Sequence, residues 1–213
     1  MRYREMAFIK TIPVADAKDD VRDMYARQEG EWGFVPDYAK VFCHRPAVMA
    51  RWGKLLAEIK RHVDPRRLEL VNTAAALELR HSSCSLAHGH ALAKFVGKNA
   101  VISMANGEDT RELTEAEKAM ARFARHVAKD ASKITAGEVA ALREIHGLSD
   151  AEIFDIAAIA AARSFFTKLL DALGSEPDRS FMKLDEELRR ALTVGRPIGC
   201  KALENLDANG QAA

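Results

Sequence analysis

One short stretch of this 213-residue chain gathers the side chains that do chemistry: His81-Ser-Ser-Cys84-Ser-Leu-Ala-His88-Gly-His90. Ser82 or Ser83 reads as the N-cap of a helix, which places Cys84 in its first turn. There the helix dipole and the free backbone N–H groups favour a thiolate over a thiol. His88 follows four residues later, one turn along the same face, within reach of the sulfur directly or through a water. A thiolate beside an imidazole is the minimum for nucleophilic or redox sulfur chemistry. The same pattern also suits a buried cysteine that packs as a small hydrophobe. His90 falls off the shared face and reads as a surface or packing residue. His81 reads as the C-cap of the preceding helix, its imidazole meeting the last carbonyls.

The elements that must position these residues are helical. The chain carries 37 alanines and only 6 prolines, a bias toward the helix before any pattern is considered. From Pro46, the residues Val48, Met49, Trp52, Leu55, Leu56, Ile59 and Val63 recur at steps of three and four, the spacing of one buried helix face. Thr114, Thr135 and Ser149 each stand three residues before a glutamate, the signature of a capping box. Gly97, Gly147 and Gly174 sit where helices end. Two segments, Leu68 to Leu79 and Ile153 to Leu173, are apolar nearly all round. Central burial is expected for the first, and either burial or a subunit interface for the second. No stretch alternates as a strand does, so the fold class is all-α. A single helical domain is expected over residues 1–193, with residues 194–213 as a loose tail.

Composition narrows the function classes. With 32 Lys+Arg against 31 Asp+Glu, the net charge of +1 excludes nucleic-acid binding driven by a bulk positive field and gives no reason to expect a membrane partner. The three cysteines, Cys43, Cys84 and Cys200, are too few and too scattered for a secreted disulfide framework. No apolar run follows the first residues, so no signal peptide is expected, and the apolar stretch from Ile156 to Ala162 is far short of a membrane span. A cytoplasmic protein is the expectation.

At the Cys84 stretch the sequence resembles the alkylhydroperoxidase D-like / carboxymuconolactone decarboxylase family, and especially its peroxidase-related branch. The likeness runs from about Phe8 to Phe181. It includes Gly33-Phe-Val-Pro-Asp37, Arg45-Pro46 followed by Trp52, and Arg67-Leu-Glu69-Leu leading into Leu79-Arg-His-Ser-Ser-Cys84-Ser-Leu-Ala-His88-Gly89. It continues through Gly147-Leu-Ser-Asp-Ala-Glu-Ile153 and Ala162-Arg-Ser-Phe-Phe166. The resemblance implies a compact multi-helix bundle that forms homo-oligomers. It also implies an active site of Cys-x-x-Cys with a histidine four residues after the second cysteine and a glutamate fifteen before it. Here Cys84 matches the second cysteine, His88 the histidine and Glu69 the glutamate, while His81 stands where the first cysteine would be. Glu69 also shares a stripe with Asn72, Thr73, Ala76 and Arg80, so it can equally mark that helix's polar edge. From the same pattern Trp32, Phe34, Asp37 and Tyr38 are expected in a loop near the pocket mouth.

With no local disulfide to close, the resemblance implies a thiol-dependent antioxidant of the peroxiredoxin type, acting on hydroperoxides through Cys84 alone. His88, polarised by Glu69, would take the Cys84 proton, and His81 would supply positive charge. An external thiol, Cys43 or Cys200 would resolve the sulfenic acid. Three other readings share the scaffold. One is a lyase or decarboxylase on a small organic acid, which needs an acid/base pair and an anion site. Another is metal binding by Glu69, His81, Cys84, His88 or His90, whose spacing around a helix start is not that of a tetrahedral site. The last is a non-catalytic helical oligomer. No metal or cofactor is expected.

Overall fold

The computed structural model of the chain describes residues 7–199, which form ten α-helices and four short 3-10 turns with no strand among the described residues. In order they are α1 (Asp19–Trp32), α2 (Asp37–Val41), α3 (Pro46–Lys60), α4 (Pro65–Glu78), α5 (Ser82–Val96), α6 (Lys98–Asn106), α7 (Glu115–Asp130), α8 (Ala136–Glu144), α9 (Asp150–Ala172) and α10 (Glu186–Leu192). No helix among the described residues is long and apolar enough to cross a membrane.

The centre of the fold is α4, which packs on α5, α7 and α9. Every residue from Leu70 to Leu77 is buried. Ala74, Ala75 and Ala76 let three neighbouring helices approach closely, and a fully buried Leu70 contributes about 1.5–3 kcal/mol of apolar transfer energy. Asn72 and Thr73 lie within this run, so the stripe that carries Glu69 faces inward and is not a polar edge. Pairing of Arg66 with Glu117 ties the first turn of α4 to that of α7, where Thr114 and Glu117 close a capping box. Ser149 and Glu152 close another at α9, which runs unbroken for 23 residues. At Thr135 the box is half made. Its hydroxyl accepts from the Glu138 backbone N–H, but the Glu138 carboxylate turns to His126 at 2.9 Å.

The periodic stripe of α3 is buried only in part. Trp52 is inside, while Val48 and Leu55 border an open apolar groove of about 590 Å³ between α3 and α9. On α9 the outer residues Phe154 and Phe165 are exposed, so this helix is buried on one side and open on the other.

Gly195, Arg196 and Ile198, expected within a loose tail from residue 194, are held to the fold. Gly195 N–H donates to Ser82 Oγ at 2.8 Å, Arg196 donates to the Asp171 carbonyl at 2.9 Å, and Ile198 is buried. Only glycine fits at 195, because a Cβ there would lie 1.9 Å from the Arg80 carbonyl oxygen. Residues 200–213, Cys200 among them, lie outside the described residues.

The segment after α9 is fastened to α2 by one carboxylate. Asp178 accepts the Asp37 backbone N–H at 3.0 Å, and the Asp37 carboxylate pairs with Lys40 at 2.7 Å. Burial, and then the Asp37 charge, push the Asp178 carboxyl up to about 6. A carboxyl raised on folding favours the native state only while protonated, so its contribution falls as pH climbs from about 4 to about 6 and stays low above that. Asp178→Asn keeps the acceptor and removes the charge. At about pH 7.5 it is expected to raise stability by about 1–3 kcal/mol, with little change at about pH 4. Thermal unfolding at the two pH values tests this, and a variant no more stable at the higher pH sinks the account.

Candidate active site

The junction between α4 and α5 sets the site. Glycine is absent from Leu79-Arg80-His81, and α4 instead ends with Arg80 in the left-handed region at φ 52°. The N–H groups of Arg80 and His81 return to the carbonyls of Leu77 and Ala76, which closes a Schellman turn. His81 then opens the next helix. It is the N-cap of α5, not the C-cap expected from the sequence, and neither Ser82 nor Ser83 takes that place. Its Nδ1 accepts the Cys84 backbone N–H at 3.2 Å, and the ring is 2% exposed. Ser82 and Ser85 instead bond the returning chain, through the Gly195 N–H and the Leu192 carbonyl.

Cys84 therefore sits in the first turn of α5, as its spacing predicts, with 4% of its surface exposed. Its polar neighbour across the fold is Arg163, near the middle of α9. Nη1 of Arg163 donates to Cys84 Sγ at 3.5 Å, while Nε and Nη2 donate to Asn72 Oδ1 at 3.1 and 2.7 Å. Asn72 is held in turn by its own amide, which donates to the Leu68 carbonyl at 3.0 Å. The guanidinium lies 5.9 Å from the ring of Phe166, and that ring packs with Tyr38, Phe42 and Trp52. Burial alone would push the Cys84 thiol up, but the Arg163 charge and His81 outweigh it and bring the thiol below its ordinary value. For His81, burial works against the cation, yet the Cys84 charge prevails and raises its pKa.

Glu69 and His88 form a second pair. His88 Nδ1 meets Glu69 Oε2 at 2.7 Å, each side chain about one-fifth exposed. Burial, then the nearby Arg163 charge, lower the His88 pKa despite Glu69, so the ring is neutral at neutral pH. The carboxylate accepts, so Nδ1 carries the hydrogen and Nε2 keeps a free lone pair. No hydrogen bond joins His88 to Cys84 in the structure. The thiol is contacted by Arg163 and His81, whereas the sequence places His88 beside it.

Between the pairs lies a narrow pocket of about 60 Å³, with Lys60, Glu69, His88 and Arg163 on its polar side. Leu56, Ile59, Leu68 and Ile159 form its apolar wall. Arg163 spans the distance between this pocket and the sulfur. His90 is exposed and takes no part. Asp37 and Tyr38, expected at the pocket mouth, lie in or beside α2, where the Tyr38 hydroxyl donates to Gln28 at 2.6 Å and the ring packs on Phe166. Trp32 ends α1 with 45% of its surface exposed. Cys43 is buried in the same apolar cluster as Cys84. Sequence reasoning missed Arg163 and Asn72 as site residues. The available signal was a lone charge inside the run from Ile156 to Phe166, which apart from Ser164 is apolar.

No protein-family model matches the chain, and no curated protein matches it. Its fold is shared with solved structures. A peroxidase-related protein from Ralstonia eutropha, described as an alkylhydroperoxidase AhpD core, superposes with a TM-score of 0.70 at 23% identity, over 84% of this chain and 96% of that one. A peroxidase-related protein from a Silicibacter species gives 0.70 at 17% identity, over 86% and 97%. The debrominase Bmp8 gives 0.65 at 18% identity, over 85% and 94%. The chain thus has the all-α, alkylhydroperoxidase D-like fold that its sequence resembles.

If the guanidinium holds the thiolate, Arg163→Gln moves Cys84 ionisation to higher pH. Thiolate absorbance against a Cys84→Ser blank follows it, and an unmoved titration would remove Arg163 from the account.

Proposed function

We propose that the protein is a thiol-dependent peroxidase that works through one reactive cysteine. The observation that carries this reading is Cys84 in the first turn of α5 with its sulfur against the buried Arg163 guanidinium, an environment that favours the nucleophilic thiolate. The peroxidase-related proteins that share the fold support it.

In the reaction, the Cys84 thiolate attacks the outer oxygen of a hydroperoxide. The O–O bond breaks, a sulfenic acid forms, and the alkoxide or hydroxide leaves with a proton. Sulfur is oxidised by two electrons and the peroxide is reduced by two. With its Nε2 lone pair free, His88 is suited to take up the thiol proton through pocket water, since it lines the pocket and Glu69 fixes its tautomer, and solvent protonates the leaving oxygen. His81 stands where the likeness would put the first cysteine of the pair, so the sulfenic acid is met by an external low-molecular-weight thiol. Two such thiols return Cys84 to its reduced form, with water and one disulfide released.

Bmp8 shows that the fold serves other chemistry: its structure was also solved as a cysteine-to-alanine variant in complex with 2,3,4-tribromopyrrole, at 18% identity to this chain. The pocket here is lined by Lys60 and Arg163 as well as apolar residues, and peroxide is the smaller electrophile.

Cys84→Ser is expected to abolish thiol-supported peroxide consumption, with milder losses in Cys43→Ser and Cys200→Ser. His88→Gln should slow turnover by roughly 10²-fold or more. Dimedone should label Cys84 after dilute peroxide. Full activity in Cys84→Ser, or no labelling at Cys84, defeats the reading.

A further inference from the structure

Arg163 is a buried cation without a carboxylate. It is 7% exposed, and no Asp or Glu among the described residues lies within ion-pair distance of it. The nearby Glu69 is committed to His88. Three of the five guanidinium N–H groups are used, two by Asn72 Oδ1 and one by Cys84 Sγ. Two remain, one on each Nη nitrogen, with no partner among the described residues. The Cys84 thiolate offsets the charge, yet two buried donors left unpaired are costly until something completes their bonding.

The same side chain lines the 60 Å³ pocket, and Lys60 lines it too. A single water needs about 10–15 Å³ on this measure, so the space suits a molecule of roughly four to six non-hydrogen atoms. Positive groups and apolar walls therefore converge on a volume that fits one small acid. The Glu69 carboxylate shares the pocket but is offset by its bond to His88.

We propose that this pocket is a binding subsite for a small carboxylate, held by the two free N–H groups of Arg163 with Lys60 at the rim. The proposal rests on Cys84, which Arg163 joins to this pocket, being the reactive group. It goes beyond that reading by assigning the substrate class: electrophiles that carry a carboxylate within a few atoms of the reacting centre. Because Nη1 touches both the sulfur and the free position, a carboxylate held there stands one guanidinium away from Sγ. It would hold the reacting atom near the thiolate and raise the local concentration of acidic substrates over neutral ones.

Two alkylating agents of nearly equal size separate the cases. Iodoacetate carries the carboxylate, and iodoacetamide is its neutral counterpart. Each reacts by displacement, in which the thiolate forms a C–S bond and iodide leaves. Exposed thiolates, which offer no carboxylate site, react faster with iodoacetamide. Here Cys84 labelling, read by peptide mass spectrometry, is expected to saturate with iodoacetate and to favour it about tenfold or more, the scale of a charge-assisted hydrogen bond. Acetate should protect Cys84 from iodoacetamide, and chloride at equal ionic strength should not. Lys60→Gln should lower the iodoacetate preference. Arg163→Lys should lower it further, while Lys54→Gln, exposed on the same helix and outside the pocket, should leave it unchanged. If iodoacetamide labels Cys84 readily but iodoacetate is slower and never saturates, the carboxylate subsite falls and the thiol chemistry stands. If neither reagent labels Cys84, both fall.

Discussion

The arrangement depends on burying one guanidinium. Arg163 comes from the middle of α9, its sulfur partner from the first turn of α5 and its amide partner from the core face of α4. Three helices must therefore cross at one point, and that crossing is where alanines replace bulk on α4. Removing one side of a buried charge pair costs about 3–5 kcal/mol, so the folded state is sensitive to the distances between these helices. The aromatic cluster around Phe166 meets the same need from the other side. It shuts water from the cation, and with less water to screen it the Arg163 charge acts strongly on Cys84.

The turn between α4 and α5 supplies the second constraint. A left-handed Arg80 carries the strain usually given to glycine, and its carbonyl is overlain by Gly195 of the returning chain. Leu192 presses on the face of α5 at Gly89, where a Cβ would come within 2.7 Å. The first turn of α5 is thus gripped from both ends, by the Schellman turn below it and by the C-terminal segment across it. His81 within that grip has two incompatible duties. As N-cap its Nδ1 must be unprotonated to accept the Cys84 N–H, whereas the thiolate draws a proton toward the ring. A second proton placed on Nδ1 would exchange the cap for an ion pair. Thiol ionisation and the helix start are therefore coupled through one imidazole.

Local physics made much of this legible. Capping at Thr114 and Ser149, the ends at Gly147 and Gly174, and the central burial of α4 all follow from patterns within a few residues. Long-range choices were not legible. The Thr135 box is half made because Glu138 has His126 as a partner twelve residues back. Val48 and Leu55 obey helical spacing and still face outward, because spacing selects a face without saying whether a neighbour covers it. At His81 one helix starts where the sequence predicts the end of another, since no glycine or proline marks the turn. Arg163 reaches partners 79 and 91 residues away, and no local pattern encodes such a contact.

Histidine at position 81, where the family likeness would put a cysteine, bears on how the proposed catalytic cycle would close. A cysteine there would be a weak cap and a strong redox partner, and a histidine is the reverse. The histidine gives the helix start its acceptor, and under the proposed cycle a sulfenic acid at Cys84 would find no thiol at position 81. Any thiol that replaces it must reach a sulfur with 4% of its surface exposed, past Arg163, from a pocket of about 60 Å³. A protein thiol on a folded surface is too broad for that approach unless the crossing of α4, α5 and α9 opens. Under the proposed cycle, the same close packing around Cys84 would favour a small reductant, and a carboxylate on it would meet the same Arg163 N–H groups proposed to hold an acidic substrate.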